Sequence, residues 1–246
     1  MISKSQISFI KSLHQKKIRK EQGLFIVEGL KSVQEFINSD YTIDSVFYTK
    51  NISSNLGKLS RNIKSVEVSE AELSRISTLN SPQSILALVQ IPKPIPINVE
   101  KLDGNFIIAL DGIQDPGNLG TIIRTADWFG LYTIICSLET ADVYNPKVVQ
   151  ASMGSLSRVN VSYTSLQDFL GKTMLPIFGA LLDGQSIYET DFGQEGLILL
   201  GNEGNGISED LLQKINYPVT IPKFGKAESL NVAITASIFC SELRRK

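Results

Sequence analysis

The stretch "DGIQDPGNLGTIIRTADWFG", residues 111–130, decides how this 246-residue chain is read. It follows the apolar run "FIIAL" (106–110), and Pro116 and Gly117 turn the chain before a segment with helical spacing. A buried strand feeding a glycine-rich turn and a helix belongs to a layered α/β domain, in which ligands bind outside the carboxyl ends of the strands. Asn118 is a candidate N-cap, and Gly130 suits the left-handed position just past a helix end. Leu119, Ile122, Ile123, Ala126 and Phe129 supply a complete buried face, so the helix needs no arginine to pack. Gly117, Gly120, Thr121 and Arg124 fall along another side by three-and-four spacing. Small neighbours leave room around the Arg124 guanidinium, which is available to an anionic or hydroxyl-bearing substrate. An arginine on a solvated helix face is the plainer alternative, and what decides between the two lies elsewhere in the chain.

From Phe106 onward the alternation continues through "YTIICS", a helix opened by Asn145 and Pro146, "RVNVSY", "PIFGALLDG", "GLILLGNEG" and "PVTIP". Near-continuous apolar runs at 107–110 and 197–200 are those of strands covered on both faces, which predicts a mainly parallel sheet wrapped by helices. Two more unusual loops follow such strands. In "LGNEGNGIS" (200–208), Gly201, Gly204 and Gly206 permit positive φ or close backbone approach, and Glu203 sits between them. A carboxylate at the centre of a glycine loop repels phosphate and favours a neutral or cationic ligand. The loop also lacks the Lys-Ser/Thr of a phosphate-binding P-loop, and it matches the dinucleotide fingerprint in glycine spacing alone. In "IPKFGKAESLNVAITASIF" (221–239), Ser229 reads as a helix N-cap. Asn231, a poor helix former, is expected inside the helix and therefore to serve the site.

Residues 1 to about 90 alternate helical pieces ("SKSQISFIKSLHQ", "GLKSVQEFINS", "SEAELSRIS") with short strands ("LFIVE", "DSVFYT", "SVEVS", "ILALVQI"), the pattern of a small α/β unit. Pro92, Pro94 and Pro96 then remove amide donors where a helix or central strand would need them. The expected organisation is a domain over 1–91, a linker over 92–105 and a second domain over 106–246. Net charge is −1, yet Met1 to Lys20 contains no acid, and Lys16, Lys17, Arg19 and Lys20 form the densest basic cluster, a candidate phosphate-binding patch. Cys136 and Cys240 lie far apart in apolar surroundings and His14 is the one histidine, which supports neither a disulfide nor a metal site. No run approaches the roughly 20 apolar residues of a membrane span, and the first residues lack a signal-peptide pattern, so the expected location is the cytoplasm.

Taken together, "DGIQDPGNLGTIIRTADWFG", "LLGNEGNGIS" and "IPKFGKAESLNVAITASI" resemble, in order and separation, the three motifs of the SpoU-type RNA 2′-O-ribose methyltransferases of the SPOUT superfamily. The segment "KKIRKEQGLFIVEGLKSVQEFI" (16–37) resembles the small RNA-binding domain, related to a ribosomal-protein fold, that precedes the catalytic domain in many members. The resemblance implies a C-terminal deep trefoil knot, S-adenosylmethionine (SAM) as cofactor and no metal. It implies methyl transfer to a ribose 2′-hydroxyl of structured RNA, with ribosomal RNA favoured and transfer RNA the alternative. By motif position it assigns Asn118, Arg124, Glu203, Ser229 and Asn231 to catalysis, and Gly179, Gly201, Ile221, Leu230 and Asn231 to the cofactor, held largely by backbone groups. It also implies a homodimer through the C-terminal domain; Trp128 outside its helix's buried stripe, and a last helix apolar almost all round, point the same way. A noncatalytic RNA-binding protein, or an enzyme of the superfamily that modifies a base, are the competing readings.

Overall fold

The computed structural model describes residues 2–52, 63–94, 97, 102 and 104–245. Residues 95, 96, 98–101 and 103 of the expected linker, Pro96 among them, lie outside the described residues. The chain divides into two compact units, one of residues 1–93 with 142–157, the other of residues 94–141 with 158–246.

The first unit is built on a four-stranded sheet of order β1-β4-β2-β3, made of β1 (Leu24–Glu28), β2 (Ile43–Tyr48), β3 (Lys64–Glu67) and β4 (Ile85–Gln90). β4 pairs antiparallel with β1 and β2, and β2 pairs parallel with β3. Local chemistry sets the helices. α1 (Lys4–Ser12) and α4 (Glu70–Ile76) each start at a reciprocal capping box, Ser3 with Gln6 and Ser69 with Glu72. α2 (Lys16–Gln22) stops at Gly23, whose φ of 63° is the left-handed exit that glycine adopts at no steric cost. Ile7, Ile10, Leu13, Ile26, Phe47, Leu73, Ile76 and Leu88 close one side of the sheet. On the other, Phe25 meets Phe36 of α3 (Leu30–Ile37), Tyr41 and Tyr144.

Arg19 departs from its expected role. Only 2% exposed, it donates from Nε and Nη2 to Asp142 Oδ2 (3.2 and 2.5 Å) and from Nη1 to the carbonyls of Leu13 and His14 (2.9 and 2.8 Å). A buried guanidinium with all three nitrogens engaged has nothing left to offer a phosphate, so Arg19 leaves the candidate patch; Lys16, Lys17 and Lys20 of the same helix are exposed. The helix opened by Asn145 and Pro146, α6 (Pro146–Ser152), also departs from the expected domain division. It packs on β1 in the first unit, although its neighbours in sequence belong to the second.

The second unit is a six-stranded sheet of order β10-β8-β9-β5-β6-β7, every neighbouring pair parallel. Its strands are β5 (Phe106–Leu110), β6 (Thr133–Cys136), β7 (Asn160–Tyr163), β8 (Ile177–Ser186), β9 (Gly196–Leu200) and β10 (Tyr217–Thr220). β5 and β9 are buried along their whole lengths, the two-sided burial that continuous apolar runs predict. Ile107, Ala109, Leu197 and Leu199 face Leu166 and Phe169 of α7 (Leu166–Leu170) and Leu211 of α8 (Glu209–Leu212). Alternate residues point the other way, toward the side where Phe239 of α9 (Val232–Leu243) meets Phe192, itself against Phe178. α9 packs on α5 (Pro116–Trp128), with Thr125 and Ser237 joined at 3.2 Å. No helix among the described residues is long and apolar enough to cross a membrane.

Candidate active site

The three unusual loops leave the carboxyl ends of β5, β9 and β10. The first enters α5 through Asp115, whose Oδ1 accepts from the Asn118 amide at 2.8 Å, with Pro116 at the first helical position. Asn118 is therefore not the cap, as its sequence position suggests, but sits at the third helical residue with its side chain free to reach outward. A proline at the first position explains the shift, because its missing N–H is one the helix start does not use.

The second loop is a tight hairpin. Asn202 and Gly206 exchange backbone hydrogen bonds of 2.8 and 3.0 Å, and Gly206 has φ of 70°. A Cβ on Gly201 would stand 2.2 Å from the Gly206 carbonyl carbon and 2.3 Å from the Ile207 nitrogen, so the crossing of two backbones dictates that glycine. Gly204 has neither a positive φ nor a backbone crossing, contrary to expectation. Asn202, passed over in the sequence, organises the turn. Its Oδ1 accepts from the amides of Gly204 (2.8 Å) and Asn205 (3.1 Å), and its Nδ2 donates to the Gly112 carbonyl at 2.6 Å. An asparagine among glycines is a turn signal in itself. Asp111 adds a second tie between the two loops by accepting from the Ser208 amide at 2.8 Å.

The third loop ends at Asn231, which caps α9: its Oδ1 accepts from the Ala233 and Ile234 amides at 2.9 and 3.3 Å. The expectation that Ser229 caps and Asn231 lies inside the helix is corrected here. Asn231 caps α9 and also reaches the other loops, since its Nδ2 donates to Asn118 Oδ1 at 2.9 Å, and Asn118 Nδ2 in turn donates to Glu203 Oε1 at 3.0 Å. Glu203 also accepts long hydrogen bonds from the amides of Gln114 and Asp115. One chain, Asn231 to Asn118 to Glu203, thus ties the three loops together.

Beside that chain lies a cavity of about 500 Å³, within the range of roughly 300–1,000 Å³ typical of small-molecule sites. Gly201, Glu203, Ile221, Ser229 and Leu230 line it, together with Ala180, Leu182, Val232 and Phe239. Among the described residues, none from Ile221 to Leu230 makes a hydrogen bond, so one wall presents backbone donors and acceptors without internal partners. These residues are half-buried or exposed, so water satisfies their backbone groups in the free protein and a polar ligand could take its place. Gly179 is not on the wall. It is buried, and a Cβ there would meet the Ile215 side chain at 2.4 Å, so it is a packing glycine. Asn231 is likewise off the wall, its side chain spent on the cap and on Asn118. Arg124 is exposed six residues along α5 from Asn118, about 9 Å by helical rise, and engages no partner among the described residues. Those residues contain no group of acids, cysteines and histidine arranged to hold a metal ion.

The sequence profile of the SpoU rRNA methylase family matches residues 105–241, over half of the chain. The chain belongs to the SpoU rRNA methylase family. An MRM3-like substrate-binding domain matches residues 4–87. A Bacillus subtilis 23S rRNA (guanosine(2553)-2′-O)-methyltransferase is 32% identical over 95% of this chain and 94% of its own. A TrmH-family structure from Porphyromonas gingivalis superposes with a TM-score of 0.89 at 40% identity, covering 100% of this chain and 99% of that one. An AdoMet-bound rRNA methyltransferase from Sinorhizobium meliloti superposes at 0.88 with 30% identity, covering 100% and 97%. In a SpoU methylase, the cavity and the tied loops stand at the sheet edge where open α/β folds bind their ligands.

Proposed function

We propose that this protein transfers a methyl group from SAM to a ribose 2′-hydroxyl of ribosomal RNA. The observation that carries the reading is the cavity walled by backbone from Ile221 to Leu230, which has no internal hydrogen-bond partners among the described residues, and by the Gly201–Gly206 hairpin, tied through Glu203 and Asn118 to α5, the helix that carries the exposed Arg124. The residues present fit the cofactor. Backbone groups suit adenine and the methionyl amine and carboxylate, Leu182, Leu230, Val232 and Phe239 supply apolar wall, and Glu203 suits a cationic ligand.

When bound, SAM supplies a methyl carbon activated by a sulfonium. The protein's own work is positional, holding acceptor and donor in line. The Asn231–Asn118–Glu203 chain fixes the three loops, so that α5 and the cavity keep one geometry. Arg124 binds the acceptor phosphate and the 2′-oxygen and stabilises the negative charge that develops there. A guanidinium holds its proton too tightly to act as a base, so the hydroxyl proton leaves through phosphate or water. Lys16, Lys17 and Lys20 contact RNA phosphates from the N-terminal unit, and Ser229 faces the cofactor. Two parts of the family's architecture belong to the same proposal: threading of the last loop and α9 into a trefoil knot, and a homodimer formed through α5 and α9, which leave Trp128 and Ile234 exposed. A cytoplasmic location follows from an rRNA substrate.

Mapping ribose methylation in ribosomal RNA from a strain lacking this protein tests the reading. One 2′-O-methyl mark should vanish and return with the wild-type gene but not with Arg124→Ala. An unchanged map would reject the proposal.

A further inference from the structure

Phe224 is 95% exposed, more than any other large apolar side chain among the described residues. Single exposed apolar side chains are ordinary, but three features set this ring apart. It borders the cofactor cavity, as do Leu182 and Leu230, both of which are also exposed. It is flanked by Lys223 and Lys226, both exposed and neither in an ion pair among the described residues. Its neighbour Gly225 has open space where a side chain would be, so nothing of the protein crowds the ring from that position. The loop also makes no hydrogen bonds among the described residues, so its own folding does not force the ring outward.

We propose that Phe224 is a substrate-binding residue on which an unstacked base of the acceptor RNA, at or next to the methylated nucleotide, stacks, while Lys223 and Lys226 hold the adjoining phosphates. This rests on the reading of the cavity as the methyl-donor site. A ribose presented to the cavity brings its own base or a neighbour's to the rim, and recognition of RNA outside a duplex relies on aromatic faces with basic side chains beside them. At 95% exposure the ring suits a partner arriving from solution rather than a ligand enclosed by the cavity.

The experiment uses the full-length protein and unmodified 23S rRNA transcribed in vitro. Phe224→Ala should weaken RNA binding and raise the KM for RNA by roughly 5- to 150-fold, as loss of one stacked base implies, with SAM affinity unchanged by calorimetry. Phe224→Tyr should restore both. Lys223→Ala with Lys226→Ala should lower the salt dependence of RNA binding by about two units of slope. Unchanged RNA binding in Phe224→Ala overturns the proposal. Weakened SAM binding overturns it in favour of a cofactor wall, and a shift toward monomer in light scattering overturns it in favour of a contact between copies. Failure of the enzymatic reading itself would show separately, as wild-type protein that transfers no methyl group, while the RNA-binding comparison would still read the stacking claim.

Discussion

Arg19→Ala should destabilise the N-terminal unit far more than it alters RNA contacts. The guanidinium makes four hydrogen bonds, two to Asp142 Oδ2 and one each to the Leu13 and His14 carbonyls, and all four vanish on truncation. Removing one partner of a buried ion pair costs about 3–5 kcal/mol, because the other charge stays behind. The Asp142 side chain is 15% exposed and keeps the Tyr144 amide on its second oxygen, which places the cost near the lower end, about 3 kcal/mol. That is a large share of an ordinary domain's stability of about 5–15 kcal/mol. Because the single tryptophan, Trp128, lies in the other unit, fluorescence is a poor reporter. Hydrogen exchange should instead show lost protection in residues 13–22 and 142–157, alongside a lower urea midpoint by circular dichroism. The matched control on the same helix, Lys16, Lys17 and Lys20 to alanine, should change stability by no more than about 0.5 kcal/mol per site. It should flatten the salt dependence of RNA binding by about one unit of slope per lost phosphate contact. If Arg19→Ala stays within about 1 kcal/mol of wild type while the salt slope flattens, the structural reading of Arg19 is refuted.

Three further outcomes follow from the site. Arg124→Ala should abolish methyl transfer while SAM affinity, measured by calorimetry, stays unchanged, since Arg124 is not on the cavity wall; parallel loss of SAM binding would contradict that placement. Gly201→Ala must push apart two crossing backbones and the hydrogen bonds between Asn202 and Gly206. It should cost about 2–4 kcal/mol and weaken SAM binding, and an unchanged melting temperature would count against it. Burial pushes both thiols up, that of Cys240 to about 12, so neither should react with a thiol reagent at pH 8 until the protein is unfolded; rapid labelling of native protein would refute their burial.

The strands were legible because burial on both faces writes itself as continuous apolar runs, as at Ile107–Leu110 and Leu197–Leu200. The second loop was legible because a backbone crossing admits only glycine, as at Gly201. What escaped were pairings decided by distant residues. Nothing near Arg19 reveals a partner 123 positions later, so a buried ion pair read as a surface patch. The packing reason for Gly179 was equally hidden, because the side chain that requires its small size, Ile215, lies in the distant loop before β10. The cap of α5 was misplaced by three residues for a local reason: Asp115 precedes Pro116, and the helix starts where the proline ring already supplies φ. Asn231 was expected to serve either helix or site, but an amide has two ends, and the structure uses both.

The central claim is most directly tested by incubating purified protein with unmodified 23S rRNA and methyl-labelled SAM, then digesting the product with alkali. A ribose 2′-O-methyl group blocks cleavage at its own phosphodiester, so the label should appear in a single alkali-resistant dinucleotide, and Arg124→Ala should leave none. Label released in ordinary mononucleotides would place the methyl group on a base, and RNA without label would leave the protein a binder rather than a methyltransferase; either result contradicts the account.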